Sequence, residues 1–188
     1  MGNMQTVTWW DRNVGLNPHW GHSPTHPQYQ WLKSFLRPNQ RVLEIGYGTG
    51  HAYAALQSLP ITYRGYDITT TFQSICLSHY PIADFRIASA THLPEPPSSW
   101  DIVFCRHLLE HIPDWKSALS EMVRVASQSV VILAWRPLSE RPTHSTNTDV
   151  CAWVFNKKEF LDTIYSLTNY TQCSPDKRIY IIHKEPHA

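Results

Sequence analysis

Val42-Leu-Glu-Ile-Gly-Tyr-Gly-Thr-Gly50 is the most informative segment of the chain. It begins as a mainly apolar run containing one acid, Glu44, and then places glycines at alternate positions, Gly46, Gly48 and Gly50. A helix-compatible, alanine-rich run follows directly. A strand, a glycine turn and a helix in this order are typical of a loop whose backbone closely approaches a bound cofactor.

The loop differs from a dinucleotide-binding fingerprint in two respects. That fingerprint reads GxGxxG, because its third glycine permits close packing of helix on strand, whereas His51 stands at that position here. Glu44 lies two residues before the first glycine, where a negative charge would repel a pyrophosphate but suits an ammonium group. The methionine end of S-adenosylmethionine carries such a group, so the loop favours that cofactor.

A second acid supports the same interpretation. Asp67 ends the next predicted strand, 21 residues after Gly46, where an acid can accept hydrogen bonds from both ribose hydroxyls. Taken alone, Asp67 could equally be a helix cap. The glycine loop at this spacing favours the ribose-binding role.

The rest of the chain alternates short β-rich runs with helix-like segments, which is the pattern of βαβ units around a parallel sheet. It predicts an α/β fold: a three-layer α/β/α sandwich whose mostly parallel seven-stranded sheet ends in an antiparallel C-terminal hairpin. The predicted strands are 41–45, 62–66, 84–87, 101–105, 129–135, 171–174 and 178–183. The predicted helices are 27–36, 50–58, 70–79, 115–126 and 157–167.

Length and segment composition predict one domain over residues 1–188. Its Rossmann-like core is expected over 26–184, with the aromatic-rich segment 1–25 as an N-terminal flap or cap. The polar segment 136–152 follows the fifth predicted strand, at the carboxyl end of the sheet, where open α/β folds bind ligands. We therefore expect it to be a substrate loop.

Charge and cysteine usage narrow the classes of partner. Sixteen Lys and Arg against fifteen Asp and Glu give a formal charge of +1. Such a balance does not indicate the excess of positive charge that is typical of proteins that bind nucleic acid or a membrane surface. The longest apolar stretch, 130–135, is far shorter than a membrane span, and four isolated cysteines indicate reduced thiols. We expect a cytoplasmic monomer or homodimer that acts on a small-molecule acceptor, with no nucleic-acid or membrane partner.

These motifs resemble those of class I (Rossmann-like) S-adenosylmethionine-dependent methyltransferases, most closely small domains of the ubiquinone-biosynthesis type, over about residues 30–184. The resemblance implies that the glycine loop wraps methionine and ribose and that the segment after the third strand contacts adenine. Ser89 stands where the family usually has an Asp, so it keeps an acceptor but carries no charge. The cofactor-binding residues implied are Glu44, Gly46, Tyr47, Gly48, Gly50, Asp67, Ile68, Ser89, Ala90, Cys105 and Arg106.

Residues 99–112 look like the family's fourth strand and the turn that follows it. His107, His111 and His144 are the candidate general bases, since histidine titrates near neutral pH, although each could also be structural. The same stretch spells His107-x-x-Glu110-His111, a zinc-protease motif that requires a long helix. Because a predicted strand ends just before the motif and Pro113 follows it, we expect no metal site.

The expected function is in-line transfer of a methyl group from S-adenosylmethionine to an oxygen or nitrogen of a small molecule, with S-adenosylhomocysteine as product. No N/DPPY motif or Pro-Cys nucleophile follows the fourth predicted strand, which disfavours base-modifying enzymes. Two alternatives stay open: a non-catalytic S-adenosylmethionine-binding partner subunit, and a methyltransferase acting on a macromolecule. An aminopropyl transferase would need a further cluster of acids that the sequence lacks.

Overall fold

Helices and strands alternate along the chain in a computed structural model. It describes residues 9–12, 23–141, 143–145, 152–167, 170–173 and 178–184, with the backbone alone at 143–145, 152–153 and 170–173. The chain divides into two compact units, Met1–Ala90 and Thr91–Ala188. Each unit is an α/β arrangement in its own right.

The first unit contains three parallel strands in the order β3-β2-β1. Its elements are α1 (Pro27–Phe35), β1 (Arg41–Ile45), α2 (His51–Leu56), β2 (Thr62–Asp67), α3 (Thr70–His79) and β3 (Phe85–Ile87). A helix connects each strand to the next, as parallel pairing requires, so the carboxyl ends of the strands meet at one edge. The register of β1 and β2 runs from Arg41 opposite Thr62 to Ile45 opposite Tyr66.

The second unit contains a sheet of four strands in the order β4-β5-β9-β8. Its elements are β4 (Trp100–Arg106), a 3-10 turn (Leu109–His111), α4 (Trp115–Val125), β5 (Ala126–Leu133), β6 (Thr143–Ser145), β7 (Ala152–Val154), α5 (Lys157–Leu167), β8 (Tyr170–Cys173) and β9 (Ile179–His183). Strands β4 and β5 are parallel, whereas β9 pairs antiparallel with both β5 and β8. The predicted α/β fold, with mostly parallel strands and a C-terminal antiparallel hairpin, is therefore confirmed.

Several boundaries differ from the sequence-based expectation for identifiable reasons. Helix α2 begins only at His51, because Gly50 adopts the left-handed conformation at its N-cap. Strand β5 begins at Ala126, immediately after α4, because Ala126 itself has extended dihedrals and no loop intervenes.

The segment expected to be a substrate loop contains structure that was not predicted. Strands β6 and β7 form a separate two-stranded antiparallel sheet, with Thr143 opposite Val154 and Ser145 opposite Ala152. The short polar run at β6 shows none of the apolar alternation that marks a strand in sequence.

The expected N-terminal flap falls largely outside the described residues. Residues 9–12 form a helical turn, while 1–8 and 13–22 are not among those that the structure describes. Within the described ranges, no helix combines the length and apolar content needed to cross a membrane.

Candidate active site

The glycine loop links β1 to α2 with two glycines in contrasting surroundings. Gly50, at φ 78°, is in crowded surroundings, because a Cβ there would lie 3.1 Å from the Cys76 sulfur, closer than ordinary van der Waals contact. Gly48, at φ 51°, is left-handed as well, but a Cβ there would meet no protein atom within 4 Å. The backbone at Gly48 therefore borders open space, while the backbone at Gly50 is packed against α3.

Asp67 lies at the end of β2 and is tied to the glycine loop. Its Oδ2 accepts a hydrogen bond from the Gly48 amide at 3.0 Å, and its Oδ1 accepts from the amides of Ile68 at 2.7 Å and Thr69 at 3.3 Å. Burial raises the pKa of this carboxyl to about 6, against the lowering effect of the three amides. The structure therefore brings two of the predicted elements, the loop and the acid, into direct contact.

Glu44 lies in the interior of the first unit, with only 2% of its surface exposed. The Tyr63 hydroxyl donates a hydrogen bond to Glu44 Oε2. Burial, together with the charge of Glu44, raises the pKa of Tyr63. The predicted site acid is thus partnered by a phenol that the sequence does not single out, because Tyr63 becomes its neighbour only through the pairing of β1 with β2.

A buried layer of Tyr47, Phe72, Cys76 and Phe85 supports the loop. The Cys76 thiol donates to the Gly48 carbonyl at 3.2 Å, and burial raises the pKa of this thiol to about 12. The Tyr47 ring packs 4.8 Å from that of Phe85, centroid to centroid. The Tyr47 hydroxyl is buried and has no hydrogen-bond partner among the described residues, and its pKa is raised by burial and by Asp67.

The helical turn at 9–12 also reaches this part of the first unit. Trp10 packs against the buried layer, with its ring centroid 6.1 Å from that of Phe72. Asp11 Oδ1 is buried and lacks a hydrogen-bond partner within the described part of the chain. Sequence reasoning did not identify Asp11, since no motif marks it.

The predicted adenine-contacting residues follow β3. Ser89 and Ala90 are both partly exposed. The Ala88 amide donates to the Asp67 carbonyl at 2.9 Å, so this segment is fastened to the end of β2. Ile68, the neighbour of Asp67, is likewise partly exposed.

In the second unit, the predicted residues lie at the end of β4 and in the bend that follows it. Cys105 and Arg106 are buried at the end of the strand, and His107 is partly exposed in the left-handed conformation at φ 50°. The His107 amide donates to the Leu133 carbonyl at 2.9 Å, and its ring centroid lies 6.5 Å from that of Trp135. The backbone of this bend is thus fixed by the neighbouring strand β5.

Glu110 is a buried acid of the second unit that the sequence offered only as part of a zinc motif. Its Oε1 accepts a hydrogen bond from the Trp135 amide at 3.2 Å. Burial raises the pKa of Glu110 to about 7, although the amide and the charge of Arg106 act to lower it.

The HxxEH motif does not lie on a long helix. Strand β4 runs up to Arg106, His107 is in a bend, and Leu109–His111 is a single 3-10 turn. In the ranges that the structure describes, no three His, Cys, Asp or Glu residues are grouped so that they could hold a metal ion. Of the other candidate bases, His111 is partly exposed, and the side chain of His144 lies outside the described residues.

Comparison with known proteins identifies the class of this domain. Residues 43–134 match the family described as methyltransferase domain. Residues 43–134 are thus a methyltransferase domain. The match includes the glycine loop, Asp67 and the bend after β4, and it supports the predicted resemblance to class I S-adenosylmethionine-dependent methyltransferases.

Alignments of this methyltransferase domain with curated relatives cover only part of this chain and part of each relative. The ubiquinone biosynthesis O-methyltransferase of Paraburkholderia phymatum is 28% identical over 112 residues, which are 56% of this chain and 47% of that protein. The uncharacterised methyltransferase YcgJ of Bacillus subtilis is 32% identical over 97 residues, 49% of this chain and 38% of that protein. The chain thus spans about half the length, or less, of these relatives.

A solved structure extends the similarity of fold. An S-adenosylmethionine-dependent methyltransferase from Thermotoga maritima has a TM-score of 0.68 at 16% identity, covering 95% of this chain and 99% of that one. At this identity the similarity concerns the fold alone.

Proposed function

We propose that this methyltransferase domain transfers a methyl group from S-adenosylmethionine to an oxygen or nitrogen of a small-molecule acceptor. The observation that carries the proposal is the hydrogen bond from the Gly48 amide to Asp67, beside backbone that faces open space. The name of the Paraburkholderia relative, an O-methyltransferase, favours oxygen as the accepting atom.

The residues present fit the cofactor. Open space at Gly48 leaves room for a ligand against the loop backbone, which would hold the methionine and ribose through Gly46, Tyr47, Gly48 and Gly50. Asp67 and its neighbour Ile68 would bind the ribose end. A carboxylate has about four lone-pair sites, and three backbone amides occupy three of those on Asp67, so a site stays free for a ribose hydroxyl.

The other cofactor contacts are proposed from the resemblance. Ser89 and Ala90 would contact adenine, Ser89 through its hydroxyl. Cys105 and Arg106 would contribute to binding of the methionine. Glu44, held by the Tyr63 hydroxyl, would keep negative charge near the loop and so favour a cationic ligand.

S-adenosylmethionine supplies an activated methyl group on a sulfonium. The protein's own task is to align the accepting atom and, where that atom bears a proton, to remove the proton. His107, His111 and His144 are the proposed bases. The hydrogen bond from the His107 amide to the Leu133 carbonyl holds the backbone of this candidate in place.

The formal charge of +1 supports a small-molecule acceptor over nucleic acid or a membrane surface, because binding to either is favoured by an excess of positive charge that this chain lacks. We propose further that the protein works in the cytoplasm as a monomer or homodimer. The polar segment 136–152 is proposed to select the acceptor.

The test is turnover with defined acceptors. The protein is incubated with S-adenosylmethionine and a panel of phenols, catechols, carboxylic acids and amines, and released S-adenosylhomocysteine is measured. We expect release that depends on one acceptor class and is lost in Asp67→Ala. Cofactor binding without turnover on any acceptor would favour the non-catalytic subunit, and no binding at millimolar cofactor would refute the proposal.

A further inference from the structure

Gly65 is the residue of β2 that stands opposite Glu44 of β1 in the parallel register. A Cβ on Gly65 would lie 2.9 Å from Tyr47 Cδ1 and 3.2 Å from the Tyr63 hydroxyl. Both distances are shorter than ordinary van der Waals contact, so these two tyrosines occupy the space that a side chain at position 65 would need. The space beside Glu44 is therefore filled by one tyrosine of the glycine loop and one of β2.

The Tyr63 hydroxyl uses this space to reach Glu44. Tyr63 lies two residues before Gly65, and side chains two apart on a strand point to the same face of the sheet. Across the gap at Gly65, the hydroxyl donates a hydrogen bond to Glu44 Oε2. The contact thus depends on a phenol on β2, an acid on β1 and the absence of a side chain between them.

A hydrogen bond to a phenol suits a carboxylate whose charge is to be kept. Only 2% of the surface of Glu44 is exposed, and burial of a carboxylate disfavours its charged form unless hydrogen bonds stabilise it. A phenol supplies such a bond but, unlike lysine or arginine, adds no positive charge. The negative charge of Glu44 is therefore stabilised without being cancelled, two residues before the first glycine of the loop.

We infer that Tyr63 is a positioning residue, whose hydroxyl holds the Glu44 carboxylate in its charged form beside the glycine loop, so that it attracts the ammonium group of the cofactor. Tyr63 acts through Glu44 and does not itself contact the ligand. This inference rests on the proposed function, because it assumes that the ligand is S-adenosylmethionine. It adds a residue from outside the glycine motif to those that select the cofactor.

The test compares two ligands that differ by one amino group. They are S-adenosylhomocysteine and its desamino analogue, which keeps the carboxylate. Dissociation constants are measured on the full chain at one neutral pH, by calorimetry for the first ligand and by competition against it for the second. The variants are Tyr63→Phe, Glu44→Gln and the double variant, and thermal unfolding checks that each is folded.

Tyr53→Phe is the matched control. Its ring lies 5.1 Å from that of Tyr63, centroid to centroid, in the same aromatic layer. Its hydroxyl makes no hydrogen bond within the part of the chain that the structure describes. The substitution therefore removes the same group from a neighbouring ring without touching the contact to Glu44.

We expect Tyr63→Phe to weaken binding of S-adenosylhomocysteine about tenfold, the effect of losing a hydrogen bond to a charged group. The affinity for the desamino analogue should change less than about twofold, because this ligand has no ammonium group for the charge to attract. Glu44→Gln should discriminate between the ligands in the same direction. The double variant should match Glu44→Gln alone, since the two residues act as a unit, and Tyr53→Phe should leave both affinities unchanged.

Four results would overturn the inference alone. They are equal weakening of both ligands by Tyr63→Phe, failure of that variant to fold, unchanged affinity for S-adenosylhomocysteine, and additive effects of Tyr63→Phe and Glu44→Gln. The first two indicate a structural role, and the last two show that Tyr63 does not act through Glu44. If the wild-type chain binds neither ligand, the proposed function fails and the inference fails with it, so the wild-type measurement separates the two failures.

Discussion

The Gly48 amide and Asp67 Oδ2, 3.0 Å apart, join the glycine loop to the end of the neighbouring strand. The pairing of β1 with β2 brings them together, since the Gly46 amide continues the ladder by donating to the Tyr66 carbonyl at 2.7 Å. Asp67 thus fixes the loop conformation and also offers an acceptor at its edge. Both tasks depend on its carboxylate, which makes it the most informative position to substitute.

Replacing Asp67 with Ala should weaken binding of S-adenosylmethionine by about 1–3 kcal/mol, the range for losing a hydrogen bond to a charged group. The loss combines the missing ribose contact with a loop no longer held at Gly48. Calorimetric titration measures it, with Asp84→Ala as a control, because Asp84 pairs with Arg64 and Arg86 instead of the loop. An unchanged affinity in Asp67→Ala would contradict the site assignment.

Cofactor affinity should fall as the pH drops below about 6. The pKa of Asp67 in the free protein is raised to about 6 by burial. The protonated carboxyl group no longer attracts a cation, and it cannot accept hydrogen bonds equally well at both of its oxygens. Each pH unit below this pKa can then cost up to about tenfold in affinity. Titrations between pH 5 and 7 on the wild type and on Asp67→Asn measure the effect, and an equal pH dependence in the two proteins would contradict it.

The two loop glycines should respond differently to alanine. Gly50→Ala places a Cβ 3.1 Å from the Cys76 sulfur at φ 78°, so we expect a loss of stability of about 1–3 kcal/mol. Gly48→Ala meets no protein atom, so it should cost about 1 kcal/mol from its left-handed backbone alone. Its main effect should be on cofactor affinity, because the new methyl group occupies the open space.

Thermal unfolding and cofactor titration on both variants separate these effects. The expected pattern is a larger drop in melting temperature for Gly50→Ala, and for Gly48→Ala a loss of affinity out of proportion to its loss of stability. If Gly48→Ala binds the cofactor as well as the wild type, the open space beside Gly48 is not part of the binding site.

The sequence was sufficient to predict those features of the structure that depend on local sequence pattern. Short apolar runs predicted the strands of the two units, and the spacing of Gly46, Gly48 and Asp67 predicted a loop and an acid that serve one cofactor site. Hydrogen-bond partners that depend on tertiary packing could not be predicted from the sequence. Tyr63 joins Glu44 only through strand register, and Cys76 reaches Gly48 across 28 positions of the chain.

Glu110 was missed as a buried acid for the same reason. Acidic residues in polar stretches are normally exposed, and nothing in the local pattern indicates that packing will enclose them. Its burial becomes visible only in the folded chain, where the Trp135 amide donates a hydrogen bond to Glu110.

Glu110→Gln should stabilise the protein in a pH-dependent manner. Burial raises the folded-state pKa of Glu110 to about 7, above its ordinary value of 4.5. Between these two values the unfolded chain has released the proton while the folded chain retains it, so rising pH lowers the free energy of unfolding. Over this window the loss amounts to about 3 kcal/mol at about 1.4 kcal/mol per pH unit.

Gln is neutral at every pH and keeps an oxygen to accept from the Trp135 amide, so it avoids this loss. Melting temperatures at pH 5 and pH 8 should therefore show Glu110→Gln close to the wild type at the lower pH and clearly above it at the higher. Glu140→Gln removes the same charge at an exposed position and serves as the control, with no difference expected between the two pH values. A stability gain of equal size at both pH values would contradict a buried, ionising Glu110, since only the ionised carboxylate is costly to bury.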